Sequence, residues 1–93
     1  MRGVRWADQA LQDLVRIYEF YADTAPLFPP ALLDRIDRLV PILLAFPNIA
    51  APIEGVPFRK MRFRGTDFIL FYRPTEDGIE IARLFHAGRD VRA

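Results

Sequence analysis

Residues Phe58–Arg89, FRKMRFRGTDFILFYRPTEDGIEIARLFHAGR, decide the fold. Three runs rich in β-branched and aromatic residues are separated by turn chemistry, the pattern of three short strands in a meander. Arg64-Gly65-Thr66-Asp67 makes the first break and Pro74-Thr75-Glu76-Asp77-Gly78 the second, with proline preset for entering a turn and glycine for its φ > 0 position. In the run Phe58–Arg64, Arg59, Met61 and Phe63 share one face while Lys60, Arg62 and Arg64 share the other, because successive side chains of a strand alternate. The second face is a cationic row. The middle run, Phe68–Arg73, is apolar both at Phe68, Leu70 and Tyr72 and at Ile69 and Phe71, so it needs cover on both faces and belongs at the centre. In the last run Ile79 and Ile81 continue one face, but Arg83-Leu84-Phe85-His86 breaks the period and predicts a bulge or a second, partly covered face. The apolar side of such a sheet needs helices, and the first half of the chain must supply them.

That half opens with Arg2–Trp6, where Val4 and Trp6 at period two predict an edge strand. From Ala7 to Ala22 the positions Ala7, Ala10, Leu11, Leu14, Val15, Ile17, Tyr18, Tyr21 and Ala22 form an amphipathic helical stripe, with Asp8, Gln9, Gln12, Asp13, Arg16 and Glu19 mostly on the other side. Asp8 in the first turn suits the positive end of the helix. Thr24-Ala25-Pro26 stops it, since proline biases the residue before it away from the α region. Pro29 and Pro30 suit the start of a second helix carrying Leu32, Leu33, Ile36, Leu39, Val40, Leu43 and Leu44 on its apolar side. Pro41 removes the bond to Asp37, which predicts a kink or restart near Val40. Phe46-Pro47-Asn48 closes this helix, and Asn48–Pro57 reads as a loop. The expected architecture is α+β: a short N-terminal strand, then a helical hairpin packed on a three- to four-stranded, mainly antiparallel sheet, in the order β-α-α-β-β-β.

A chain of 93 residues suits one domain spanning residues 1–93. At 52% apolar and 27% charged residues, its composition excludes a disordered chain. It has no cysteine, which rules out disulfides, thiolate nucleophiles and cysteine-based metal sites and is compatible with a reducing cytosol. The longest apolar stretch, Leu39–Phe46, is interrupted by Pro41 and too short to span a bilayer, and Met1–Leu14 lacks a signal-peptide core. A soluble cytoplasmic protein without membrane contact is expected. Net charge is only +1, but its distribution is uneven: residues 57–93 carry 8 Arg and Lys against 5 Asp and Glu, residues 1–56 carry 5 against 7. A basic sheet half can attract nucleic acid or an acidic peptide. The same row also suits a solvated strand face kept charged against edge aggregation.

Several segments in order resemble one family. A short strand, the helix Ala10-Leu11-Gln12-Asp13-Leu14-Val15-Arg16-Ile17-Tyr18, a second helix closed by Leu43–Pro47, and an arginine-rich strand are similar to the RelE/ParE superfamily of bacterial toxins. Phe71-Tyr72-Arg73, then Gly78–His86, then Gly88-Arg89-Asp90 resembles the close of the ParE branch. The resemblance covers nearly the whole chain. It implies the toxin of a type II toxin–antitoxin pair, neutralised by a cognate antitoxin and forming an oligomer through that complex. ParE-type members inhibit DNA gyrase; RelE-type members cut mRNA on the ribosome. Against the RelE-type ribonuclease pattern, Lys60 and Arg62 match a basic strand pair and Arg89 a late arginine. Ile69, however, holds the place of the strand arginine, and no Tyr or His follows Arg89. Cleavage through the 2′-hydroxyl needs a base, an acid and cationic stabilisation, and arginine supplies only the last. His86 is the only imidazole, and it falls where the ParE-like close carries its histidine. The resemblance therefore implies a ParE-like gyrase inhibitor without cofactor or metal. Lys60, Arg62, Arg64, Arg73, Arg83, His86 and Arg89 are then candidate antitoxin or target contacts. A RelE-like ribonuclease using Lys60, Arg62 and Arg89, or a non-toxic antitoxin-binding relic, are the alternatives.

Overall fold

The computed structural model describes residues 3–86. Its elements are β1 (Gly3–Trp6), α1 (Asp8–Tyr21), α2 (Phe28–Ala45), β2 (Ala51–Pro52), β3 (Arg59–Arg62), β4 (Phe68–Thr75) and β5 (Gly78–His86). The strands form one mixed sheet in the order β1-β5-β4-β3-β2, in which only β1 and β5 run parallel. The meander and the central position of its middle strand are as the periodicity predicts. The strand count is five, not three or four, because Ala51 pairs with Lys60 and Pro52 with Arg59. Two residues are too few to show an alternating pattern, and the second is a proline, which sheets tolerate at an edge because it has no N–H to donate.

Both helices cover one face of the sheet, and the core lies between. Ala10 and Ile17 of α1 and Leu32, Ile36 and Leu43 of α2 are buried against Phe68, Leu70 and Tyr72 of β4 and Ile79, Ile81 and Leu84 of β5. α1 follows β1 after one residue, tied in by the Ala7 N–H donating to the Ile81 carbonyl at 2.9 Å. α2 opens with Pro29 and Pro30 in its first turn and runs unbroken through Pro41, without the restart that the sequence suggested. Pro41 is exposed, so the Asp37 carbonyl that loses its helical donor lies on the solvated side of the helix. Tyr72 is fully buried at the sheet centre and its hydroxyl donates to the Pro47 carbonyl at 2.8 Å, pinning the chain that leaves α2. Burial pushes the Tyr72 phenol above its usual pKa. Tyr72→Phe keeps the ring and removes this bond, so unfolding should become easier by about 0.5–1.5 kcal/mol in urea titration.

Two turn details differ from expectation. The second hairpin turn is only Glu76-Asp77, because β4 continues through Arg73, Pro74 and Thr75 opposite Glu80, Ile79 and Gly78. Pro74 is accommodated because β3 stops at Arg59, which pairs with Tyr72, leaving no strand beside Pro74 on that side. The irregularity in the last strand is a bulge: Phe71 pairs with Arg83 but Tyr72 with Ile81, leaving Ala82 unmatched. The bulge moves Arg83 and Phe85 onto the face that the helices leave open.

Candidate functional site

On the open face Lys60 and Arg62 of β3 stand opposite Phe71 and Ile69 of β4, and these stand opposite Arg83 and Phe85 of β5. The half-buried Ile69, Phe71 and Phe85 make an apolar centre. Phe71 and Phe85 meet edge to face at 5.5 Å between centroids, and the Arg83 guanidinium carbon lies 5.0 Å from the centroid of the Phe85 ring. Around this centre Lys60, Arg62 and Arg64 are exposed, as alternation from Arg59 requires. Arg59 itself turns to the helix side, where its guanidinium donates to the Ala50 carbonyl at 2.7 Å.

The candidate residues thus divide into three groups. Lys60, Arg62 and Arg64 project to solvent, and Arg64 contributes its carbonyl to the Arg35 guanidinium at 3.0 Å. Arg62→Ala is expected to leave stability within about 0.5 kcal/mol, checked by thermal unfolding, since its side chain fills no core space. Arg73 and Arg83 are already paired. Arg73 donates to Glu80 at 2.7 Å, and Arg83 grips Asp13 with two bonds of 2.8 and 3.0 Å. His86 is apart from the β3 cations: it pairs with Phe68 and lies edge-on to that ring at 4.5 Å, on the helix side of the sheet. There it lines a groove of about 830 Å³ between α1 and β5, with Ile17, Phe20, Tyr21 and Phe68 and, from its own strand, Arg83, Leu84 and Phe85, and among the described residues its Nδ1 is buried without a hydrogen-bond partner. Arg89 lies outside the described residues.

Two carboxylates hold the arginines of β4 and β5, Glu80 on the sheet and Asp13 on α1, and neither was a candidate. Glu80, nearly buried, accepts from Arg5 at 2.8 Å as well as from Arg73. Hydrogen bonds from Arg5 first and Arg73 second hold its carboxyl below the usual glutamate range. A depressed folded-state value means that this contribution is present above the unfolded pKa of about 4.3 and is lost as pH falls through the folded one. Melting temperature should therefore drop more steeply below about pH 4.3 in the native chain than in Glu80→Gln, as read by calorimetry across acid pH.

Asp13, expected on the outward side of α1, is instead 5% exposed. Besides Arg83 it accepts the Leu84 N–H at 2.9 Å and Arg16 at 3.4 Å. Its position carried a signal, because it lies three residues after Ala10 and four before Ile17, both buried on that helix.

Among the described residues no cluster of three His, Asp or Glu is placed to hold a metal, and no helix is long and apolar enough to cross a membrane.

A family model described as the ParE toxin of the type II toxin–antitoxin system, parDE, matches residues 4–91. No curated protein matches the chain. Among solved structures, the chromosomal ParDE TA system from P. aeruginosa is similar at a TM-score of 0.73 and 24% identity, covering 92% of this chain and 96% of that one. The intact E. coli RelBE toxin–antitoxin complex follows at a TM-score of 0.62 and 16% identity, covering 96% and 100%. YafQ from E. coli strain BL21(DE3) is similar at 0.52 and 15%, covering 92% and 93%. At these identities the structural matches establish a shared fold.

Proposed function

Because the chain belongs to the ParE toxin family of type II toxin–antitoxin systems, we propose that it halts growth by binding DNA gyrase in the cytoplasm and is neutralised by a cognate antitoxin. Lys60, Arg62, Arg64, Arg73, Arg83, His86 and Arg89 are the contact residues in this reading, and the oligomer forms through the toxin–antitoxin complex. The observation that carries binding over catalysis is the chemistry of the open face. It offers cations around an apolar centre, but its carboxylate Glu80 is committed to Arg5 and Arg73. The histidine lies on the other side of the sheet, and Ile69 stands beside Arg62 where a ribonuclease of this superfamily would carry an arginine. Phosphates could be held there, but no described group on that face is set to move a proton.

The test is expression of the chain with and without the antitoxin encoded beside it, followed by supercoiling and translation assays. Growth arrest relieved by the antitoxin, with supercoiling inhibited and mRNA intact, is the expected result. Cleavage within translated codons would instead identify a ribonuclease, and unchanged growth a non-toxic relic. Lys60→Glu with Arg62→Glu should weaken supercoiling inhibition at least about tenfold, the scale of one contact cluster worth about 1.4 kcal/mol.

A further inference from the structure

The two broad faces of the chain carry matching apolar patches with opposite charge. On α1 the residues Leu11, Val15 and Tyr18 are 46%, 55% and 40% exposed. Their spacing puts them on one exposed stripe, along the flank of α1 beside the buried line of Ala10 and Ile17. Asp8 and Glu19, both exposed, follow along one edge of that stripe, and exposed Asp23 lies one turn beyond Glu19. On the open face of the sheet Ile69, Phe71 and Phe85 form the apolar centre described above, bordered by exposed Lys60, Arg62 and Arg64. Among the described residues these three side chains have no carboxylate partner. One patch is thus apolar with an acidic rim, the other apolar with a basic rim, and they are different surfaces of the chain.

We propose that the chain associates with a second copy of itself head to tail, the α1 stripe of one copy seated on the open sheet face of the next. The charges on both partners are known here, because both are this chain. Burying each patch removes apolar surface from water, and the rims pair acid with base. The two patches are different surfaces, so the contact is heterologous. Two copies leave one face of each kind unused, and assembly continues beyond the dimer unless a ring closes. This inference goes beyond the toxin reading and does not depend on it.

Sedimentation velocity of the full chain tests it. In about 0.1 M NaCl, where charges interact over about 10 Å, average mass should rise with protein concentration past twice the 10.8 kDa monomer. In about 1 M NaCl, where that range falls to about 3 Å, mass should return toward the monomer. Lys60→Glu with Arg62→Glu should remain monomeric at the lower salt, as should Glu19→Lys with Asp23→Lys. An equimolar mixture of these two variants should associate again, since each supplies the charge that the other's face requires. All four substituted positions are exposed, and Lys at the end of α1 suits the helix dipole, so both variants should retain the native circular dichroism spectrum. A native chain that stays monomeric at low salt, a dimer insensitive to salt, or variants whose mixture stays monomeric would each overturn the proposal. Growth arrest would be untouched by such a result, so the two readings fail separately.

Discussion

Asp13→Ala should lower the free energy of unfolding by about 3 kcal/mol, the largest effect expected of any carboxylate in the chain. β5 outlasts its parallel neighbour, since β1 ends at Trp6 opposite Ile81 and leaves the outer edge of residues 82–86 without a strand. Asp13 takes the missing strand's place by accepting the Leu84 N–H at 2.9 Å. Without it that buried donor has no acceptor, at a cost of about 1–3 kcal/mol. The Arg83 fork also loses both its bonds to Asp13, but its side chain is 35% exposed and can turn toward water, so the full 3–5 kcal/mol of a broken buried pair does not apply. Asp13→Asn should fall between the native chain and alanine, since the amide keeps one acceptor and turns a donor toward the guanidinium. Arg16→Ala provides the control: its bond to Asp13 is 3.4 Å long and its side chain 67% exposed, so the change should stay within about 0.5 kcal/mol. Urea denaturation reads all three, and hydrogen exchange at the Leu84 amide reads the cap itself. A loss below about 1 kcal/mol for Asp13→Ala would show that water replaces the carboxylate at this edge.

Gly78→Ala is expected to be at least as damaging, through the backbone. Gly78 has φ of 143°, and an ideal Cβ there would sit 1.9 Å from the Gly3 carbonyl oxygen and 2.7 Å from its nitrogen. Both obstacles are backbone of β1, held in place by the Gly3 N–H donating to the Asp77 carbonyl at 2.8 Å. Strain at such a φ costs about 1–3 kcal/mol by itself, and relief of the clash requires β1 to leave its register with β5. A total of about 3 kcal/mol or more is a large part of the 5–15 kcal/mol that holds an ordinary domain together. Melting should fall by about 4–8 °C per kcal/mol. Trp6, the only tryptophan, sits in β1 against the core, so a red shift of its emission before the main transition would report the strand's release. Gly65→Ala separates strain from clash: Gly65 has φ of 82° but nothing within 4 Å of the added carbon. It should cost only about 1–2 kcal/mol. Equal losses for the two glycines would rule out close approach of β1 as the reason for Gly78.

The local part of this structure was legible before any coordinates. Period-two alternation placed Met61 and Phe63 inward and Lys60, Arg62 and Arg64 outward, and a break in that alternation marked the bulge that the register locates at Ala82. The helix positions and the central position of β4 followed from the same rule, that apolar side chains repeat with the period of the element that buries them. On α1 the rule took in too much: Ala10 and Ile17 are buried while Leu11, Val15 and Tyr18 are exposed, because the stripe of apolar residues is wider than the strip that the sheet and α2 cover. The resemblance to the toxin family was also readable, because it rests on residue types in order along the chain.

What the sequence by itself determined is therefore the two helices, four of the five strands, most of their buried positions and the row of cations on β3. Tertiary structure decided what those elements do to one another. It chose β5 as the parallel partner of β1, added Ala51–Pro52 as a fifth strand, and turned Asp13 inward to an arginine 70 residues away. It also divided the basic residues, leaving Lys60, Arg62 and Arg64 open while Glu80 and Asp13 engaged Arg73 and Arg83, and it set His86 on the opposite face. The reason is physical: periodicity is imposed on each segment by its own backbone geometry, whereas an ion pair or a parallel strand joins distant segments whose meeting is fixed only once the core has packed.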